Sequence, residues 1–386
     1  MKKVVYLLML AAGAGILSAS AADGLFSVRT ASYNIRCYGA WEEDTANKWV
    51  YRSADVVNLV KDIDPDVIGF QEVDPEQMTE LKQKLSDYEI IGKHRETDNT
   101  KRATPVAYRK SRFDSLGGGT FWLSTTPDVQ GSKDLGDGYV CSDPETCSWV
   151  ILRDKMTGGV FCFMCTHLDW LNAELRRRNM QILLAQVDKR LPVKMPLVIV
   201  GDMNAKETEA CIVAATEGLQ DALLVSQSTP TGPWRTYNGW KWNPGEVSCA
   251  EALANYTADQ RSDSESTLGG RRIDYIFTSS DTEVASFAIR NDARPDKEYY
   301  PSDHYPIVAE LRMPRANELY TGTVRVEIDR RIPSVSGGRY VMTQGAKITN
   351  PENVEFVLPK WVTRAAVEDG EIVIYTRPDP LVMHIR

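Results

Sequence analysis

Val198-Ile199-Val200-Gly201-Asp202-Met203-Asn204-Ala205 is a β-branched run that stops abruptly at Gly-Asp-Met-Asn. It reads as a buried strand that delivers an acid and an amide at its C-terminal tip. Side chains alternate along a strand, so Asp202 and Asn204 are expected on one side. A carboxylate able to hold a metal or polarise a water then sits beside an amide able to donate to an anionic oxygen. The alternative is a strand followed by an Asx-type turn with no chemistry attached. The other strand ends decide between the two.

Residues 27–36 alternate like a strand and carry Asn34 near its end. Residues 53–61 follow as a helix, with Val56, Val57, Leu59 and Val60 on its apolar side and Ser53 as its cap. Asp64-Pro65-Asp66 breaks that helix, and residues 67–73 read as a buried strand ending in Glu72. A buried carboxylate is costly unless it is paired or bound to a cation, so Glu72 is either a metal ligand or half of a structural ion pair. A helix over residues 76–85 and a strand over 106–109 continue the alternation, and a Gly turn at 117–119 runs into an aromatic strand. Residues 148–154 and 159–166 read as a hairpin, the second strand ending at Thr166-His167-Leu168-Asp169. A helix over 173–189 presents Arg176-Arg177-Arg178 as its solvated face, and another lies near 207–217.

Residues 229–270, rich in Pro, Trp, Gly and Ser, read as a long loop of the kind that often carries function. Its Trp234, Trp240 and Trp242 suit packing, or a surface for a ring or a lipid. The strand at 273–277 puts Asp274 among hydrophobes, and Pro301-Ser302-Asp303-His304 leads into a last strand at 307–311. From residue 315 onward only short strand-like runs remain, separated by Gly, Pro and Asn, and His384 there is a surface or packing residue. Three segments are expected: 1–22, a catalytic domain over 23–314, and a small β-rich accessory domain over 315–386.

Composition is that of a globular chain, 42% apolar and 25% charged over 386 residues. At the N-terminus, Lys2 and Lys3 precede an apolar run and an Ala19-Ser20-Ala21 cleavage site, the pattern of a signal peptide. The run is too short for a membrane span, and no other is long enough. The expected product is exported, to the periplasm or beyond the cell. Cleavage removes Lys2 and Lys3 and no acid, taking the net charge from −8 to −10. That balance disfavours broad affinity for nucleic acid. Of the seven cysteines, Cys141 and Cys147 share a turn-rich loop where a disulfide is conceivable. Cys162 and Cys165 read as buried thiols on opposite faces of one strand.

Asn34, Glu72, His167, Asp202, Asn204, Asp274, Asp303 and His304 therefore each fall at or near an apolar strand end, where sites gather in layered α/β folds. The motifs that carry them are SYNIR, DVIGFQEV, CTHLDW, VIVGDMNA, RRIDYIF and PSDHYPIVAEL. In this order, over residues 27–313, they resemble the endonuclease/exonuclease/phosphatase superfamily, and GGGTFWLSTTPD is similar to its bacterial exported branch. The resemblance implies an α/β fold, a four-layer α/β/β/α sandwich of two mixed sheets. It implies a hydrolase that cleaves a phosphodiester or phosphomonoester by water attack with Mg²⁺, or Mn²⁺, as cofactor. By resemblance, Glu72 binds the cation, with Asn34 and Asp303 close by. Asp202, also within reach of the cation, orients or deprotonates the water, and Asn204 bonds a phosphate oxygen. His304, oriented by Asp274, acts on the nucleophile or steadies the transition state. His167 serves the phosphate or the leaving group, and Asp169 stands behind it.

Two positions depart from the family's pattern. Arg102-Ala103-Thr104 stands where relatives commonly carry Gly-Glu, and Glu145-Thr146-Cys147 stands where the exported branch often has an arginine. Both lie toward the substrate side in relatives, so the sequence leaves the substrate open between small-molecule and lipid-derived phosphate esters. Two other readings stand beside this one. One is a secreted nuclease. The other is a catalytically weak relative that binds a glycan, a lipid or a membrane surface.

Overall fold

The computed structural model describes residues 24–38, 47–191, 195–241, 243, 245–263, 268, 270–292 and 300–315 in full. It also gives the backbone of short strands at 3–6, 323–328, 339–343, 354–357, 362–368 and 371–376. The rest of the expected signal peptide, together with Trp242 and His384, lies outside the described residues. The chain divides into two units, one of residues 24–185 with 196–314, the other of 1–23, 186–195 and 315–386.

The larger unit is built from two six-stranded sheets. The first has the order β14 (Glu283–Ile289), β15 (Ile307–Pro314), β2 (Leu25–Asn34), β3 (Val67–Gln71), β5 (Val106–Arg109), β4 (Tyr88–Ile91). The second runs β12 (Leu219–Asp221), β13 (Asp274–Ser279), β11 (Leu197–Asp202), β10 (Val160–His167), β9 (Thr146–Asp154), β6 (Phe113–Trp122). Both are mixed: β2 and β3 are parallel in one, β10 and β11 in the other, and the remaining neighbours are antiparallel. The expected α/β class with two mixed sheets is what the chain adopts.

The strand pattern explains the layering. β3, β10 and β11 are buried along their whole length, as strands covered on both faces must be. One face of each sheet meets in a shared core that includes Val28, Val67, Phe161, Phe163, Val198 and Val200. Gly69 sits where the sheets approach closely: a Cβ there would lie 2.5 Å from Val200 Cγ2 and 2.7 Å from Cys165 Sγ. On the outer face of the first sheet, Ile68 and Phe70 pack against Val56, Val60 and Leu81 of α1 (Trp49–Ile63) and α2 (Pro75–Lys84). α2 starts on an Asp74–Gln77 capping box with Pro75 in its first turn.

Several local expectations change. α1 starts four residues before Ser53, which is buried inside the helix and does not cap it. Arg176 of α3 (Ala173–Arg190) is not on a solvated face: it is buried and donates to Glu209 through Nε at 3.0 Å and Nη2 at 2.6 Å. The expected long loop contains α5 (Cys249–Asn255), capped by Ser248, and α6 (Ala258–Ser262), with a Thr257–Gln260 capping box. Trp234 is a core residue, and Trp240 covers the Arg52 guanidinium at 5.4 Å. No disulfide joins Cys141 to Cys147: both are buried, and Cys141 Sγ accepts a bond from Asn179 at 3.2 Å.

In the smaller unit, β16 (Thr323–Ile328), β17 (Arg339–Thr343), β19 (Val362–Glu368) and β20 (Glu371–Thr376) form one sheet in the order β17-β16-β20-β19. β1 (Lys3–Tyr6) pairs in parallel with β18 (Val354–Val357).

Gly69→Ala tests the closeness of the sheets. The added methyl must displace Val200 or Cys165, and overpacking of this kind costs about 1–3 kcal/mol. Urea unfolding is expected to show a lower midpoint with an unchanged slope.

Candidate active site

Three strands of the second sheet end in one row. His167 is in register with Asp202, and Asp202 with Asp274. In the first sheet Asn34 is in register with Gln71, so Glu72 emerges immediately beyond it. Asp303 and His304 lie just before β15, whose first residue Ile307 pairs with Ser32. Side chains from both sheets thus converge at one end of the sandwich.

Backbone distortions bring them inward. Arg36, Glu72 and Asn204 all have left-handed φ, at 54°, 61° and 48°. Such residues cost on the order of 1–3 kcal/mol each and cluster at functional sites. The turn at Asn204 corrects the sequence reading: strand alternation ends at Asp202, and an Asx-type bond from Asn204 N–H to Asp202 Oδ1 at 2.8 Å closes a turn. That turn, rather than alternation, swings the Asn204 amide to 2.9 Å from His167 Nε2. Gly201 lets β10 lie close beside it, since a Cβ there would meet the Thr166 carbonyl oxygen at 2.1 Å.

At the centre, Asn34 Nδ2 donates to Glu72 Oε1 at 3.2 Å and to Asp202 Oδ2 at 3.0 Å. Two buried acids therefore share one neutral amide. His167 Nε2 lies 3.4 Å, and His304 Nε2 3.6 Å, from Asp202 Oδ2. His304 Nδ1 is fixed by Asp274 Oδ2 at 2.9 Å, as expected. Asp303 joins through Arg36, whose Nε lies 3.8 Å from Asp303 Oδ2 and whose Nη1 lies 3.7 Å from Glu72 Oε2. The Asp303 backbone is held by the loop: its carbonyl accepts from Asn238 N–H at 2.8 Å and Gly239 N–H at 3.1 Å. Asp169 stands apart from this set and is satisfied by Ser142 and Leu171.

The charges follow from burial and company. Burial pushes Glu72 up, but Arg102 and Arg36, helped by His167 and His304, overcome it and hold the carboxyl well below its usual range. Burial likewise opposes ionisation of Asp202, yet His304 and His167 keep its pKa low. In Asp274 and Asp303 burial wins and raises the pKa. Burial alone would lower His304, but Asp274 and Asp202, with Asp303 behind them, raise it to about 10.

The donor chemistry fits a hard dication. Ligand atoms of Glu72, His167 and Asp202 lie within 4.8 Å of one another, as do those of Asp202, Asp274 and His304. Glu72 and Asp202 supply carboxylate oxygens of the kind Mg²⁺ or Mn²⁺ takes, and Asn34 adds an amide oxygen if its side chain turns over. Like-charged acids this close and this enclosed gain from a cation between them.

Sequence reasoning missed the cations around the site. Arg102 Nη1 is 3.5 Å from Glu72 Oε2. Arg95 Nη2 is 2.5 Å from both His167 Nδ1 and Glu145 Oε2, and Arg95 and Glu145 are fully enclosed. Tyr237 presents its ring edge to the His304 ring, with centroids 5.1 Å apart. Arg102 and Glu145 occupy the two positions that depart from the family pattern, and Arg36 sits inside SYNIR, so a signal for these was present.

Two outcomes follow. Leaving Glu145 buried without its cation, Arg95→Leu is expected to cost about 3–5 kcal/mol, and adding Glu145→Gln should restore part of it, as chemical denaturation of the single and double variants will show. The second concerns His304, whose ordinary value is 6.5 and whose folded value is raised to about 10. A raised folded pKa gives stability that is complete below the unfolded value and lost as pH climbs through the folded one. In protein stripped of divalent ions, urea midpoints should therefore fall between these two pH values, and His304→Gln should flatten that fall.

Comparison with known proteins places the chain. The pattern of the Endonuclease/Exonuclease/phosphatase family matches residues 31–304. An endonuclease/exonuclease/phosphatase structure from Bacteroides vulgatus is 27% identical, covering 74% of this chain and 98% of its own, with a TM-score of 0.61. A mannosyl-6-phosphatase from Bacteroides thetaiotaomicron is 26% identical over 74% of this chain and 99% of its own, with a TM-score of 0.62. Uncharacterized protein L388 of Acanthamoeba polyphaga mimivirus is 26% identical over 169 residues, and the match spans 42% of this chain and 60% of that relative. Fold, site and sequence pattern agree, and the chain belongs to the endonuclease/exonuclease/phosphatase family, whose members hydrolyse phosphate esters.

Proposed function

We propose that this protein is an exported, divalent-cation-dependent phosphoesterase that acts on a small phosphate ester. The observation that carries the reading is the row His167–Asp202–Asp274 facing Asn34 and Glu72 across the mouth of the sandwich. Likeness to the mannosyl-6-phosphatase favours a phosphomonoester of sugar type over a larger substrate. The net charge of −8 weighs against the nuclease reading. Export is supported by the N-terminal pattern, and among the described residues no helix is long and apolar enough to cross a membrane.

Glu72 and Asp202, with Asn34 and Asp303 beside them, would hold Mg²⁺ or Mn²⁺, which when bound offsets phosphate charge and acidifies water. The chain's own groups do the rest. Asp274 fixes His304 through Nδ1 and leaves Nε2 facing Asp202 at 3.6 Å. Asp202, which stays ionised, is the acceptor to which the proton of an attacking water can pass, and His304, held protonated by Asp274 and Asp202, faces it as a cationic donor. Asn204 and His167, in contact at 2.9 Å, stand where donors to a non-bridging phosphate oxygen are needed. Burial of Glu72, His167, Asp202, Asp274 and His304 limits the screening of these interactions by bulk water, while Asn204 is half-buried.

Hydrolysis of a chromogenic phosphomonoester and phosphodiester, with Mg²⁺ and with EDTA, tests the reading. Turnover is expected only with the cation, and faster on the monoester. Asp202→Ala should lower kcat by about a thousandfold or more, and Asp274→Asn by about a hundredfold through loss of His304 orientation. Cation-independent turnover, or full activity in Asp202→Ala, would sink the reading.

A further inference from the structure

Two guanidiniums flank the carboxylate that would hold the cation, and they are not equivalent. Arg36 is shared between two carboxylates, Glu72 at 3.7 Å and Asp303 at 3.8 Å. Arg102 has one ion-pair partner among the described residues, Glu72, at 3.5 Å. The other acids of the site are already engaged: Asp274 with His304, Glu145 with Arg95, Asp202 with Asn34. The Arg102 backbone is pinned, its carbonyl accepting from Arg95 N–H at 3.0 Å while neighbouring Ala103 N–H donates to Val73 O at 2.8 Å. Its side chain is nonetheless 25% exposed, against 7% for Glu72. The backbone is fixed and the side chain is partly open to solvent.

A dication and the Arg102 guanidinium compete for the same carboxylate oxygens and repel one another. When the cation takes Glu72, Arg102 loses its partner inside a site about to receive an anion. We propose that Arg102 is an exchange arm: paired with Glu72 in the cation-free protein, it transfers to the non-bridging oxygens of the substrate's phosphate once a cation holds Glu72. The substrate class this favours is the phosphomonoester. A terminal phosphate offers three oxygens and up to two charges to a planar guanidinium, whereas a diester offers two oxygens and one charge. Cation and phosphomonoester then strengthen each other's binding, because each relieves what the other leaves unpaired. The inference rests on the reading that Glu72 and Asp202 hold a divalent cation, and it adds the residue that links that cation to the substrate's charge.

The test is calorimetric titration of Mn²⁺ into the full-length protein, alone and with saturating methyl phosphate or dimethyl phosphate. In the wild type, methyl phosphate should tighten Mn²⁺ binding about tenfold and dimethyl phosphate should change it little. Arg102→Ala, which frees Glu72 from its competitor, should bind Mn²⁺ alone about tenfold more tightly, with the methyl phosphate effect lost. Arg102→Lys should retain part of that effect. Wild-type Mn²⁺ affinity indifferent to methyl phosphate overturns the proposal, and so does an Arg102→Ala variant that titrates like the wild type. A wild type that binds Mn²⁺ but shows neither behaviour leaves the cation site standing and removes only the role of Arg102. A wild type that binds no Mn²⁺ removes both.

Discussion

Two buried carboxylates, Glu72 and Asp202, share a single amide proton donor, Asn34 Nδ2, at 3.2 and 3.0 Å. That contact joins the ends of β3 and β11, one strand from each sheet, and the rest of the site is arranged about its charge. Placing two acids in an enclosed site is unfavourable unless positive charge surrounds them. Arg36 and Arg102 approach Glu72 from one side, while His167 and His304 approach Asp202 from the other. Gly69 of β3 packs directly against Val200 of β11, two residues before Asp202.

The two histidines are held in different ways, which gives them different chemistry. His304 is backed by a carboxylate, so its Nδ1 proton is committed to Asp274 and its Nε2 faces the reacting centre. His167 is backed by a guanidinium, with Arg95 Nη2 against Nδ1 and the Asn204 amide against Nε2. Glu145 balances the Arg95 charge from behind. One imidazole is thus held by an acid and the other by donors.

Much of this was legible because apolar strands that end in acids, amides and histidines are unusual. Glu72, Asp202 and Asp274 stand out in sequence because each adjoins a short apolar strand run, at 67–70, 198–200 and 275–277. What sequence does not display is adjacency. The row His167–Asp202–Asp274 exists only because β11 lies between β10 and β13, a non-local pairing that local periodicity does not encode. Asn204 reached its place through a left-handed turn instead of strand alternation, although the Asx signal for that turn was in the sequence. Arginines were the main blind spot, because a charged residue is read as solvated by default. Arg176, Arg95 and Arg102 each found a carboxylate brought close by the fold. Similarly, α5 and α6 were hidden by Pro and Trp, while the Ser248 and Thr257 caps that start them went unread.

The central claim is that the convergent strand ends form a cation site serving phosphate-ester hydrolysis. Anomalous X-ray diffraction from crystals grown with Mn²⁺ tests it most directly. An anomalous peak is expected between the Glu72 and Asp202 carboxylates, lost in Asp202→Ala. A peak elsewhere, or none at a Mn²⁺ concentration that supports turnover, would contradict it.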